Sequence, residues 1–117
     1  MRQIRALAVD DSAAMRGAIV DVLRAVPGCV VVGEAANGVE ALELAGALHP
    51  ELVVLDVHMP VMGGMEALRA LKCKLPCAHV VMVSTAFEPE TRQHALNLGA
   101  DACLEKGREL WNGLPTL

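Results

Sequence analysis

Aromatic residues are almost missing from this chain, which has one phenylalanine (Phe87), one tryptophan (Trp111) and no tyrosine. A core must therefore be built from Val, Leu, Ala and Met at ordinary interior density, and no platforms exist on which nucleic-acid bases could stack. A surplus of basic charge is missing too. With 14 Asp and Glu against 10 Lys and Arg, the formal charge of −4 has the wrong sign for a phosphate-backbone binder, so no direct nucleic-acid partner is expected. No run reaches the roughly 18 to 20 apolar residues of a membrane helix; Met1 to Val9 carries two arginines, and no signal peptide is expected. The expectation is a cytoplasmic chain without membrane contact. Cys29, Cys73, Cys77 and Cys103 lack the two-residue spacing of redox and zinc motifs. Reduced thiols are expected, because a zinc site from Cys73, Cys77 and His79 would want a remote fourth ligand.

What the chain does have is length and apolar content for one domain, 117 residues of which 54% are hydrophobic. Ile4 to Val9 reads as a strand, followed by Asp10-Asp11-Ser12 and by Met15, Ile19, Val22 and Leu23 at helical spacing. Asp11 or Ser12 can cap that helix, and Pro27-Gly28 stops it. The unit then recurs. Cys29 to Val32 predicts a second strand, and a helix carrying Val39, Leu42, Leu44 and Leu48 ends near His49-Pro50. Leu52 to Val57 predicts the third and most apolar strand, and His79 to Val83 the fourth, with a helix marked by Met65, Leu68 and Leu71 between them. A helix over Pro89 to Leu98 is closed by Gly99, Ala102 to Leu104 is a short fifth strand, and Glu109 to Leu117 is a weak last helix with Gly and Pro inside it. Five apolar strands alternating with helices predict an α/β fold, a parallel sheet covered on both faces.

In such a sheet ligands bind beyond the carboxyl ends of the strands. Those positions hold Asp10-Asp11, Asp56, Ser84-Thr85 and Lys106. Each alone reads as a cap or a solvated loop charge; together, at separate strand ends, they read as a site. Three converging carboxylates repel one another unless a cation compensates them, and Mg²⁺, a hard ion that takes carboxylate and carbonyl oxygens and is shared with phosphate, fits that need. A Lys and a hydroxyl supply donors to a phosphoryl group. A carboxylate can then act as the nucleophile and become an aspartyl phosphate, and Asp56, ending the central strand, is the best placed.

These residues resemble the receiver domains of bacterial two-component response regulators, including those of chemotaxis, over roughly Arg5 to Gly107. Val9-Asp10-Asp11-Ser12 is similar to the acidic-pair motif, and Leu55 to Gly64 to the phosphoacceptor motif with its Met59-Pro60. Val83-Ser84 is similar to the switch hydroxyl, and Leu104-Glu105-Lys106 to the lysine motif. The resemblance implies a doubly wound, flavodoxin-like (βα)5 fold, with residues 1–117 forming one receiver domain. It implies that Asp56 accepts phosphate and ligates Mg²⁺. Asp11 would be a direct ligand, Asp10 would act through water, and His58 would offer its backbone carbonyl. Ser84 and Lys106 would meet phosphoryl oxygens, with Thr85 at the small-residue position that opens access.

Partners implied are a sensor histidine kinase or a histidine phosphotransfer protein, a downstream protein, and a second copy of the chain. The His58 side chain is read as shaping access, and Met59 and Met62 as packing. The chain departs from the family in three places. Cys103 stands where an aromatic residue is usual, Gly107 where Pro is usual, and Gly63 where Asp is common. All lie by the surface that reports phosphorylation, as does the weak last helix; Cys103 and that helix motivate an alternative, a receiver-fold binding or dimerisation module that signals without phosphate. An aspartyl-intermediate phosphatase would need a second carboxylate just past the nucleophile, where Val57-His58 supplies none. A nucleotide-binding relative would need a Gly-rich loop after the first strand. No enzymatic activity is expected beyond the chain's own phosphorylation and dephosphorylation.

Overall fold

A computed structural model describes residues 3–114. The strands β1 (Ile4–Val9), β2 (Cys29–Ala35), β3 (Leu52–Asp56), β4 (His79–Ser84) and β5 (Ala102–Glu105) form one parallel sheet in the order β2-β1-β3-β4-β5. Between and after them run α1 (Ala13–Arg24), α2 (Gly38–Leu48), α3 (Gly64–Lys74), α4 (Pro89–Asn97) and α5 (Arg108–Trp111).

Side chains alternate across a strand, and here the alternation sorts the core into two layers. Leu7, Val9, Val53, Leu55, Val80, Met82 and Cys103 face α2, α3 and α4 through Ala41, Ala45, Ala67, Leu68, Leu71 and Ala95. Ala6, Ala8, Val54, Val81 and Val83 face α1 and α5 through Ile19, Val20, Leu23 and Leu110. Both faces are covered, which is why the strands read as continuous apolar runs. Neither aromatic is buried: Phe87 packs partly against the first layer and Trp111 is exposed.

Helix starts follow local chemistry. The Ser12 hydroxyl accepts from Met15 N to open α1. Asn37 Oδ1 accepts from Glu40 N while Glu40 Oε1 accepts from Ala36 N, a reciprocal cap for α2. His49 ends α2 in the left-handed region, at φ 48°.

Several boundaries differ from expectation. β2 runs on to Ala35 rather than stopping at Val32. An irregularity opposite Ala6 and Leu7 lets Gly33, Glu34 and Ala35 stay paired with Leu7, Ala8 and Val9. β4 and β5 each reach one residue further, to Ser84 and Glu105, paired with each other. The last helix is confined to Arg108–Trp111, with Gly113 turning the chain at φ 98°; residues 115–117 of the expected helix lie outside the described residues.

The outer edge of β5 is closed by side chains instead of by a strand. Arg92 Nη1 of α4 donates to the Cys103 carbonyl at 2.7 Å, and Glu109 Oε1 of α5 accepts from Glu105 N at 2.8 Å. The two caps lie 3.6 Å apart as an ion pair. An edge strand so covered offers less to a second chain.

Candidate functional site

The carboxyl ends of β1, β3, β4 and β5 deliver Asp10, Asp56, Ser84 and Lys106 to one pole of the sheet. Pairing fixes them there: Lys106 N donates to the Ser84 carbonyl at 2.7 Å, and Val57 N to the Val83 carbonyl at 3.0 Å. Gly64 N donates to the Val57 carbonyl at 2.9 Å, pressing the start of α3 so closely on β3 that a Cβ on Gly64 would collide with the Asp56 carbonyl. Only glycine permits that approach.

Among the described residues Asp10, Asp56 and Ser84 are the buried polar side chains, at 0%, 2% and 1% exposure, whereas Asp11 is exposed. Carboxylate oxygens of Asp10, Asp11 and Asp56 come within 4.8 Å of one another. Lys106 Nζ lies 2.8 Å from Asp10 Oδ2 and 3.2 Å from Asp56 Oδ1, so the Lys106 ammonium compensates both carboxylates. Asp10 Oδ1 accepts from Ser12 N at 2.9 Å. Asp10 Oδ2 is buried and meets the Lys106 ammonium as a close charge pair.

Burial raises the Asp56 pKa and the charge of Asp10 adds to the rise, with Lys106 acting against both. For Lys106, burial works to lower the pKa, but the carboxylates of Asp10 and Asp56 outweigh it and hold the ammonium above its ordinary value.

The remaining residues are arranged around this centre. His58 N lies 3.4 Å from Asp56 Oδ1 while the residue is exposed to solvent. Thr85 sits exposed at the rim. The Ser84 hydroxyl donates to the Ala86 carbonyl at 2.9 Å, so its only proton is engaged by the loop that leads to α4. Met59 and Met62 pack against the core as expected, and the Met62 carbonyl receives Gly38 N at 3.1 Å.

A divalent cation fits this donor set. Three carboxylates converge, two of them buried, and the atoms offered are hard oxygens. Among the described residues no other such group forms. Cys73, Cys77 and His79 do not make one, and the four cysteines are free thiols.

The family model of the response regulator receiver domain matches residues 6–111. The chain belongs to that family. As a receiver domain it is 46% identical over 105 residues to protein-glutamate methylesterase/protein-glutamine glutaminase 4 of Myxococcus xanthus, covering 88% of this chain and 30% of that protein. It is 38% identical over 103 residues to the nitrate/nitrite response regulator NarL of Escherichia coli, covering 88% of this chain and 48% of that one. The chain thus spans about half or less of these relatives. Among solved structures, the response regulator domain of Thermotoga maritima CheB superposes with a TM-score of 0.84 at 38% identity, over 99% of this receiver and 84% of that chain. Vibrio cholerae CheY4 does so with a TM-score of 0.79 at 32% identity, over 89% and 87%. The five-stranded, doubly wound fold of the receiver is the one read from the sequence.

Two features of the receiver's site escaped the sequence reading. One is the direct contact of Asp10 with Lys106. The other is the cluster of Phe87, Arg92, Glu105 and Glu109 behind Ser84, where the Arg92 guanidinium stands 5.0 Å from the centre of the Phe87 ring.

Proposed function

We propose that this receiver accepts a phosphoryl group on Asp56 from a sensor histidine kinase or a histidine phosphotransfer protein and thereby changes its affinity for a downstream protein. The observation that supports this reading is the convergence of Asp10, Asp11, Asp56 and Lys106 at one pole, with Ser84 at the neighbouring strand end.

A carboxylate oxygen of Asp56 forms the bond to phosphorus as the bond from phosphorus to the donor's imidazole nitrogen breaks, the imidazole leaving with the electron pair. Asp11, Asp56 and the His58 carbonyl would hold Mg²⁺, with Asp10 acting through water, and the ion would neutralise charge on the phosphoryl oxygens. Lys106 pairs with a phosphoryl oxygen, giving up part of its contact with Asp56. Ser84 donates to another phosphoryl oxygen, and to do so it must release the Ala86 carbonyl, since a hydroxyl has one proton. Thr85 borders the opening through which the donor approaches.

On this reading residues 1–117 act as one cytoplasmic signalling domain, able to pair with a second copy and catalysing only its own phosphorylation and dephosphorylation. The site set gives the phosphorylation-independent module no support. The test is intact-protein mass after incubation with acetyl phosphate and Mg²⁺, for the wild-type chain and Asp56→Asn. A labile phosphoryl adduct on the wild type alone is expected. Failure of a folded, Mg²⁺-binding wild-type chain to gain one would remove the reading.

A further inference from the structure

The Ser84 hydroxyl has two competing uses, and the side of the competition away from Asp56 is unusually well tied down. It donates to the carbonyl of Ala86. The next residue, Phe87, is held by its amide, 3.5 Å from Glu105 Oε1, by its partial burial against the core, and by the guanidinium over its ring. That guanidinium, from Arg92, is held by the Cys103 carbonyl and by Glu109. Glu109 in turn takes Glu105 N, and the exposed Trp111 lies two residues further along α5. The β4–α4 loop, α4, the edge of β5 and α5 therefore meet at one cation.

We propose that Arg92 is a positioning residue that acts through Phe87 to set whether Ser84 serves the Ala86 carbonyl or the phosphoryl group, and that carries the change to α5 through Glu109. The proposal rests on Asp56 as the phosphoacceptor. When Ser84 turns to a phosphoryl oxygen, the Ala86 carbonyl loses its donor and the loop shifts; Phe87 moves with it, and the Arg92 bridge to Cys103 and Glu109 is strained or broken. Phe87 packs against the same core layer as Cys103, so a ring from the loop, gripped by a cation from α4, supplies next to β5 the bulk that the small Cys103 lacks. Coupling of this kind is reciprocal: an intact bridge opposes phosphoryl binding, and a broken bridge favours it.

Trp111, the only tryptophan, lines a shallow groove with Ala18, Val22 and Ala25 and reports on α5 directly. The experiment titrates beryllium fluoride, a phosphoryl mimic, in the presence of Mg²⁺, following Trp111 emission and, separately, melting temperature as the measure of binding. The variants are wild type, Arg92→Gln, Arg92→Lys and Glu109→Gln; Gln at 109 keeps an acceptor for Glu105 N and removes only the charge.

In the wild type, emission should change with beryllium fluoride and not with Mg²⁺ alone, because only the former takes the Ser84 proton. In Arg92→Gln the half-saturating concentration should fall about fivefold, the low end of typical coupling, while the emission change is lost. Arg92→Lys should restore part of both. Glu109→Gln should lose the emission change even if Arg92→Gln proves too unstable to study. Binding that is unchanged or weaker in the variants, or an emission change that persists in both Arg92→Gln and Glu109→Gln, would overturn the relay. A folded wild-type chain that neither binds beryllium fluoride nor gains mass from acetyl phosphate would sink the phosphoacceptor reading and the relay with it.

Discussion

Lys106 Nζ lies 2.8 Å from Asp10 Oδ2, an ammonium against a carboxylate with no solvent exposure. Because the same nitrogen also serves Asp56, one cation compensates two buried anions, and a divalent ion entering the cluster meets a positive charge already in place.

Lys106→Met should therefore have two opposed effects. Without metal the variant should lose about 3 kcal/mol of stability, since removing one partner of a buried pair strands the other. With Mg²⁺ it should gain more in melting temperature than the wild type gains, because the competing ammonium is gone. Asp11→Ala should gain less than the wild type. Thermal melts with and without Mg²⁺ check all three, and an undiminished gain in Asp11→Ala would remove Asp11 from the metal set.

The raised pKa of Asp56 fixes a sign for pH dependence. The native chain holds this proton at pH values where the unfolded chain has released it. Asp56 therefore costs stability progressively as pH rises from its unfolded pKa through its folded one, and the cost is complete above the latter. Asp56→Asn should be more stable than the wild type at neutral pH without metal, with the advantage fading on acidification. Lys106 runs the other way at the alkaline end: its contribution is complete below its unfolded pKa and is lost as pH rises through the folded one. Urea melts across pH decide this, and a less stable Asp56→Asn at neutral pH would mean that the Lys106 contact outweighs burial.

Val61 stands in the left-handed region at φ 69°, with its side chain 83% exposed. A β-branched residue is strained there and has no burial to offset the strain. Val61→Asn should stabilise the chain by about 1 kcal/mol, read as a higher urea midpoint at unchanged slope. A lower midpoint would show that the loop draws on Val61 for a contact.

Gly64→Ala should act in the opposite sense. Its Cβ would meet the Asp56 carbonyl, so either α3 or the end of β3 must move, at a cost of about 2 kcal/mol or more. The displacement should also reduce the rise in melting temperature produced by Mg²⁺. Stability and metal response that both match the wild type would show that the approach is looser than the geometry implies.

The sheet and its pole were legible in the sequence because parallel strands buried on both faces leave long apolar runs, and each run ends on a residue of distinct chemistry. The position of Asp56 after Leu52–Leu55 carried as much information as any motif. Strand ends were less legible: Gly33 and Glu34 break the apolar pattern of β2 but not its pairing with β1. Which of Asp10 and Asp11 is buried was hidden, because adjacent residues at a strand end share composition but not direction. The Arg92 cluster was hidden for another reason. It is assembled from residues 87 to 109 by tertiary contact alone, and no periodicity marks an arginine that reaches back to a strand carbonyl.

The closed edge of β5 bears on how the protein behaves in bulk solution. Arg92 and Glu109 occupy the carbonyl of Cys103 and the amide of Glu105, groups that a foreign extended segment would otherwise use. Removing both side chains leaves a strand with free valences and hydrophobic neighbours. Such a chain should be lost to precipitation on standing sooner than its melting temperature would foretell, because the groups that hold α4 to α5 are also those that keep the sheet from growing.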